Sequence, residues 1–261
     1  MRLLGTGRTA DVYALDENRV LRRYRTGLTA AGEAAVMTHL AAAGYPVPPA
    51  EPGPLPTDLV MPRLQGPTML AALLHGQMTA RTAGETLAGL LEKLHALPAR
   101  LAARPGDRIL HLDLHPDNVL LTPDGPMVID WTNSQEGPPG LDWAMSALIL
   151  AQAATVLLTG EDLLPDGLRA GQDLPLDGPA DVLRTGENLP PEGPADQENL
   201  AGEVRTLLTA LTGAAGRERL EAWLPQAVER RAADPTMSAL EVSCLEEAAA
   251  LVLQTAPGDR P

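Results

Sequence analysis

Apolar positions in the first 24 residues come in short runs broken by turn-forming residues. Leu3-Leu4 leads into Gly5-Thr6-Gly7-Arg8-Thr9-Ala10, Val12 to Leu15 is a second run, and Val20-Leu21 follows the turn Asp16-Glu17-Asn18-Arg19. Runs this short, bounded by Gly, Asp and Asn, predict strand, loop, strand, turn, strand. From Thr29 to Ala43 the pattern changes. An Ala-rich stretch sets Val36, Met37 and Leu40 on one side of a helix that should stop at Gly44. Pro46 to Pro56 carries too much proline for a helix and predicts an extended surface connection. Asp58 to Met61 resumes a strand, and Pro62 to Gly66 follows as a connection. Thereafter the helical period dominates, with helices expected at about 68–76, 79–96, 141–158, 198–214, 217–231 and 236–255. A small sheet with one helix, followed by a helical remainder, is an α+β arrangement of two lobes.

One segment fits neither period. Between Gly160 and Glu198, Gly171-Gln-Asp-Leu-Pro-Leu-Asp-Gly-Pro-Ala-Asp recurs fifteen residues later as Gly186-Glu-Asn-Leu-Pro-Pro-Glu-Gly-Pro-Ala-Asp, with a degenerate copy at Gly160. Ten acidic residues face two arginines there. A solenoid or a calcium site would need an apolar stripe or regular ligands. Proline every few residues instead predicts a mobile acidic insertion at 160–198.

Composition changes the picture in three places. At 261 residues the chain is long enough for two lobes with real cores, and its net charge of −14 argues against nucleic acid or an anionic membrane as partner. Acidity gives a cationic small-molecule partner a slight edge. Cys244 stands alone, which excludes an intrachain disulfide and predicts a packed helical position. Met-Arg-Leu-Leu-Gly-Thr-Gly lacks the apolar core of a signal peptide, and the longest apolar run, Ala144 to Leu158, is interrupted by Ser146, Gln152 and Thr155. A buried helix and a cytoplasmic location are the expectation.

The chemistry is concentrated in His111-Leu-Asp-Leu-His-Pro-Asp-Asn and Val128-Ile-Asp-Trp. Asp113 precedes Asn118 by five residues, and Asp130 ends a short apolar run. Phosphoryl transfer is mostly positioning and charge neutralisation, so it needs a carboxylate to orient the nucleophile and oxygen ligands for Mg²⁺, a hard cation. This stretch supplies all three. A rival reading takes His111, Asp113 and His115, at alternate positions, as one face of an extended segment that ligates zinc. It leaves Asn118 and the strand ending at Asp130 without a role.

These motifs resemble those of the aminoglycoside phosphotransferase family, small-molecule kinases related to choline kinases and distantly to protein kinases. The resemblance is strongest at His111 to Asn118 and Ile129-Asp130-Trp131, and weaker at Gly5 to Val12 and Leu141-Asp142. It implies a bilobal protein-kinase-like fold: a small N-terminal antiparallel sheet lobe with one helix (1–61), a hinge at 62–66, and a larger, mainly helical C-terminal lobe (67–261). It implies ATP (GTP is not excluded) and Mg²⁺ as cofactors, and a small-molecule hydroxyl as acceptor. Carried onto this chain, Asp113 is the catalytic base or hydroxyl-orienting group, and Asn118 and Asp130 ligate Mg²⁺. Gly5 and Gly7 offer backbone N–H groups to phosphates, with a tight hairpin turn as the plain alternative. His111 and His115 brace the loop. Asp142 anchors the loop backbone, unless it is only a helix N-cap. Pro62 presents a carbonyl and Leu64 an amide to adenine. Trp131, Asn133, Ser134 and Glu136 are candidates for lining the site or for structural roles.

One position departs from the family. Its third strand carries a phosphate-binding Lys paired with a helix Glu, whereas here Arg22 stands with Glu33 as the partner. Arg and Lys are not interchangeable where geometry is tight. The choice is between a catalytically silent nucleotide-binding module and an active enzyme that uses Arg. Lys93 is the only lysine in the chain, which favours drift under codon bias over loss of function. A protein kinase fits less well, because only eleven residues separate Asp130 from Asp142.

Overall fold

The computed structural model describes residues 1–6, 9–25, 29–101, 104–159 and 194–258. The three N-terminal runs form the antiparallel strands β1 (Arg2–Thr6), β2 (Ala10–Ala14) and β3 (Arg19–Tyr24), with a register shift between Leu3 and Gly5. Asp16 closes the second turn by accepting from the Asn18 N–H at 2.9 Å and Arg19 Nε at 2.8 Å. Helix α1 (Ala31–Ala42) buries Glu33, Met37 and Leu40, spaced four and three residues apart on one stripe. Gly44, at φ +78°, stops it.

The proline-rich connection is not wholly a surface crossing. Tyr45, Val47 and Ala50 are buried, and Glu51–Pro52 forms β4 against β5 (Asp58–Pro62), which in turn pairs with β3. β4 is the edge of the sheet order β1-β2-β3-β5-β4, where a proline without an N–H is tolerated.

The second lobe begins with α2 (Met69–Leu74) and α3 (Ala80–Ala96), capped by the Thr68 and Thr79 hydroxyls. Two short antiparallel pairs follow: β6 (Arg108–Leu110) with β9 (Gln135–Gly137), and β7 (Val119–Thr122) with β8 (Gly125–Val128); the sequence reading foresaw of these a strand ending at Asp130, and β8 stops two residues short of it. Strands of three or four residues carry too little periodicity to see. α4 (Pro139–Thr159) packs against α5 (Pro194–Ala215), α6 (Arg217–Ala232) and α8 (Leu245–Thr255). By length and composition α4 could cross a membrane, but 83% of its apolar window is buried inside the protein, which makes it the core helix of this lobe.

Two boundaries differ from expectation. The last helix is divided into α7 (Ala239–Ser243), opened by a capping box of Ser238 and Glu241, and α8, with the buried free thiol of Cys244 between them. The insertion was expected to reach residue 198, but 194–198 already belong to α5, and 160–193 lie outside the described residues. The molecule is α+β: an antiparallel sheet lobe with one helix, and a larger, mainly helical lobe.

Candidate active site

Residues 108–142 fold into a loop held from below. Asp142, fully buried in the first turn of α4, accepts the His111 N–H at 2.9 Å, the Leu112 N–H at 2.7 Å and His95 Nε2 at 3.0 Å. Its place inside the helix, after Pro139, is not that of an N-cap. His111 is also buried. Its Nε2 donates to the Ile129 carbonyl at 3.0 Å, its Nδ1 accepts the Asp113 N–H at 3.3 Å, and its ring packs 4.6 Å from Trp131. This binds the loop to the strand end that delivers Asp130.

The zinc reading fails on backbone geometry. Leu112 has φ +64°, so the segment is not extended and the alternation of His111, Asp113 and His115 is lost. His111 turns to Ile129, while His115 Nε2 lies 3.9 Å from Asp113 Oδ1 and 3.1 Å from Asn118 Nδ2. The His115 Nδ1 accepts the Asp117 N–H at 3.3 Å, fixing the short 3₁₀ turn 116–118. Asn118 Nδ2 donates to the Asp113 carbonyl at 2.8 Å, and the Asn118 carbonyl accepts the Ile129 N–H at 3.0 Å. The amide nitrogen of Asn118 is thereby committed to the loop, and its side-chain oxygen is the group left for a cation.

On the other side of the cleft, Arg22 of β3 reaches across both lobes. Its guanidinium donates to Glu33 Oε1 at 3.1 Å, Asp130 Oδ1 at 2.8 Å and Thr132 Oγ1 at 3.3 Å. Glu33 also accepts the Trp131 N–H at 3.0 Å and the Tyr24 hydroxyl. Asp130, at φ +61°, is further held by the Thr132 hydroxyl at 2.7 Å. Two non-glycine residues in left-handed backbone, Leu112 and Asp130, thus bracket the motif, an arrangement that surrounding contacts must enforce.

The electrostatics separate the two carboxylates. Burial alone would raise Asp130, but the Arg22 charge and the Thr132 and Arg22 hydrogen bonds outweigh it and hold the group at about 2. Burial pushes Asp113 up to about 6; the Asp130 charge adds to this and the Arg231 charge opposes it. Burial lowers His115 to about 4, which keeps it neutral, and raises Glu33. Burial also opposes the charge on Arg22, yet Asp130 and Glu33 win and push its pKa upward.

Gly5, Arg22, Glu33, Pro62, Leu64, Asp113, His115, Asn118 and Asp130 all line one cleft of about 1520 Å³. Gly7 lies outside the described residues. Pockets for one ligand usually run to about 1,000 Å³, so this cleft has room for two. A carboxylate held ionised and an amide oxygen suit a hard divalent cation such as Mg²⁺. Gly66, at φ +130°, brings the segment after β5 close against β7: a Cβ there would lie 2.0 Å from the Leu121 carbonyl oxygen.

Other sequence candidates point elsewhere. Trp131 is fully buried, donating from Nε1 to the Val128 carbonyl, and Glu136 accepts the Arg100 and Leu101 N–H groups. Both are structural. Ser134 donates its backbone N–H to the Trp131 carbonyl, and Asn133 is exposed. Three participants were missed. Tyr24 follows Arg22 by two residues on a strand, and Thr132 follows Asp130 by two, a spacing that could have flagged the former. His95 reads as an ordinary basic residue in a helix's last turn until Asp142 is found beside it.

Comparison with known proteins bears on the fold and the family. No curated protein sequence matches the chain. Among solved structures it is similar to APH(2")-IIa in a ternary complex with streptomycin and ATP, at 12% identity and TM-score 0.50, over 88% of this chain and 82% of that one. It is also similar to amicoumacin kinase hAmiN in complex with AMP-PNP, Ca²⁺ and Ami (13% identity, TM-score 0.49, covering 99% and 90%). A third likeness is to a choline/ethanolamine kinase family protein from Mesorhizobium loti (17% identity, TM-score 0.41, covering 97% and 93%). At such identities the likeness is one of fold, and the match at TM-score 0.50 gives the kinase-like fold. The family model described as the phosphotransferase enzyme family, APH, matches residues 1–108 and 97–175, and so takes in the sheet lobe, the loop at Asp113 and the strand end at Asp130. The chain belongs to the phosphotransferase enzyme family.

Proposed function

We propose that the chain moves the γ-phosphate of ATP, with Mg²⁺, onto a hydroxyl of a small molecule, acting in the cytoplasm. The reading rests on one observation above all: Asp113, Asn118 and Asp130 share a cleft with Arg22 and the hinge. The structure of similar fold in a ternary complex with streptomycin and ATP supports both the nucleotide and a small-molecule acceptor.

In this reading Pro62 offers its carbonyl and Leu64 its amide to the adenine. Backbone N–H groups around Gly5, with Gly7, meet the phosphates. Arg22, steadied by Glu33, pairs with phosphate oxygens. Asn118 and Asp130 hold Mg²⁺, which when bound neutralises phosphate charge. Asp113 aligns the acceptor hydroxyl and takes its proton as the new oxygen–phosphorus bond forms and the bond to the β-phosphate oxygen breaks, leaving ADP and a phosphate ester. His111, His115 and Asp142 hold the loop that carries it.

The test is ADP release from purified protein with Mg·ATP, and separately Mg·GTP, over aminoglycosides, amino alcohols, choline-like amines and sugars. Transfer to at least one hydroxyl supports the reading. Stabilisation by Mg·ATP with no transfer to any acceptor would instead identify a catalytically silent nucleotide-binding module.

A further inference from the structure

Beyond Asp113 the cleft continues between α2, α4 and α5. Its walls there are apolar: Leu74 of α2, Ile149 and Leu157 of α4, Leu200 and Val204 of α5. Leu74 keeps 43% of its surface exposed, an apolar side chain left uncovered on a cleft wall. α2 packs on the 3₁₀ turn 116–118, so this wall is continuous with the loop that carries Asp113.

Charge in this part is sparse and largely self-compensated. Arg231 of α6 is mounted: its Nε donates to Gln152 Oε1 at 3.1 Å, and the buried Gln152 donates from Nε2 to the Glu241 carbonyl at 2.6 Å. Asp234 faces the same guanidinium at 4.0 Å. Glu203, exposed on α5, and Asp117, in the 3₁₀ turn against α2, are the other carboxylates among the described residues of this part.

We propose that the acceptor is an alcohol with an elongated apolar body and at most one charge, its body lying along the α4–α5 wall and its hydroxyl at Asp113. The proposal rests on the phosphotransferase reading and specifies the substrate class of that site. A polycationic aminosugar carries several ammonium groups. Each loses hydration on entering the cleft and needs a carboxylate to offset it. Among the described residues this part offers Asp117, Glu203 and Asp234, of which Asp117 is engaged by the Thr68 hydroxyl and Asp234 already faces Arg231, leaving Glu203 to offset one charge. An apolar body, by contrast, gains with every methylene laid against Ile149, Leu157, Leu200 and Val204.

The experiment is isothermal titration of the protein, saturated with Mg·AMP-PNP, with 1,2-alkanediols from butanediol to octanediol and with kanamycin. Affinity should rise by up to about fourfold per added methylene, and octanediol should bind more tightly than kanamycin. Val204→Asp should flatten the dependence on chain length without changing AMP-PNP affinity. Leu74→Gln, at an exposed position that folding does not depend on, should reduce the slope in the same direction. Affinity independent of chain length, or kanamycin binding more tightly than octanediol, would overturn the proposal. Because binding is read without turnover, these outcomes stay separate from a failure of ADP release with every acceptor, which would sink the phosphotransferase reading instead.

Discussion

Asp113 and Asp130 are chemically the same group and are set to different tasks by their neighbours. Asp130 is held at about 2 by Arg22 and Thr132 against the effect of burial, and Asp113 is raised to about 6 by burial. If Asp113 accepts the hydroxyl proton, kcat/KM should increase about tenfold per pH unit below 6 and level off above it. Asp113→Asn should lower kcat by about 10²–10⁴ and leave AMP-PNP affinity unchanged; full activity in that variant would remove the assigned role. The two groups also act on folding with opposite sign. Asp113 keeps its proton to higher pH when folded, so its contribution weakens folding as pH rises from 3.8 towards 6. Asp130 is ionised when folded, so it stabilises above its ordinary 3.8, and that stabilisation is lost as pH falls towards 2. Arg22 is the third member of this set, with 12% of its side chain exposed and partners on both lobes. Arg22→Ala leaves Glu33 buried without its cation and should cost about 3–5 kcal/mol in urea unfolding. Arg22→Lys keeps the charge but not the fork between Glu33 and Asp130. It should recover part of that stability, and the change in AMP-PNP affinity between the two variants reads how far Arg22 serves the phosphates.

At the scale of elements, close approach decides what residue type alone leaves unexplained. Gly84 sits in the second turn of α3, inside the helix, where glycine ordinarily weakens it. In the fold a Cβ at that position would lie 2.4 Å from the Leu207 carbonyl oxygen and 2.7 Å from the Ala210 Cβ, so glycine is what lets α3 and α5 pack. Gly84→Ala should therefore destabilise by about 1–3 kcal/mol despite its better helix propensity, measurable as a fall in denaturation midpoint. A gain in stability would show that the two helices can separate freely. Asp142 has the same character. Its carboxylate accepts two loop N–H groups and His95. Asp142→Asn keeps the shape but turns one acceptor into a donor facing N–H groups, and should cost about 1–3 kcal/mol. Turnover should fall further than folding alone explains, because the loop at Asp113 loses its floor.

Across the whole molecule, legibility followed distance along the chain. Asp113, Asn118 and Asp130 lie within eighteen positions, and their residue types already state the chemistry: a carboxylate for a hydroxyl, oxygen donors for a hard cation. Long amphipathic helices and the turns at Asn18 and Gly44 were legible too, since they are written in local periodicity and backbone preference. What periodicity could not carry was pairing across the chain. Arg22 meets Asp130 over 108 residues, Glu33 meets Trp131 over 98, and His95 meets Asp142 over 47. Each depends on how the sheet lobe settles against the loop. The sequence by itself determined the family chemistry and the order of the longer elements, because both reside in local spacing. Only the tertiary structure decided that Leu112 and Asp130 take left-handed backbone, that Trp131 braces the site rather than lines it while Glu136 holds the backbone at 100–101, and that the wall beyond Asp113 is apolar. Which side chains share a cavity is a property of packed surfaces, and no local pattern encodes it.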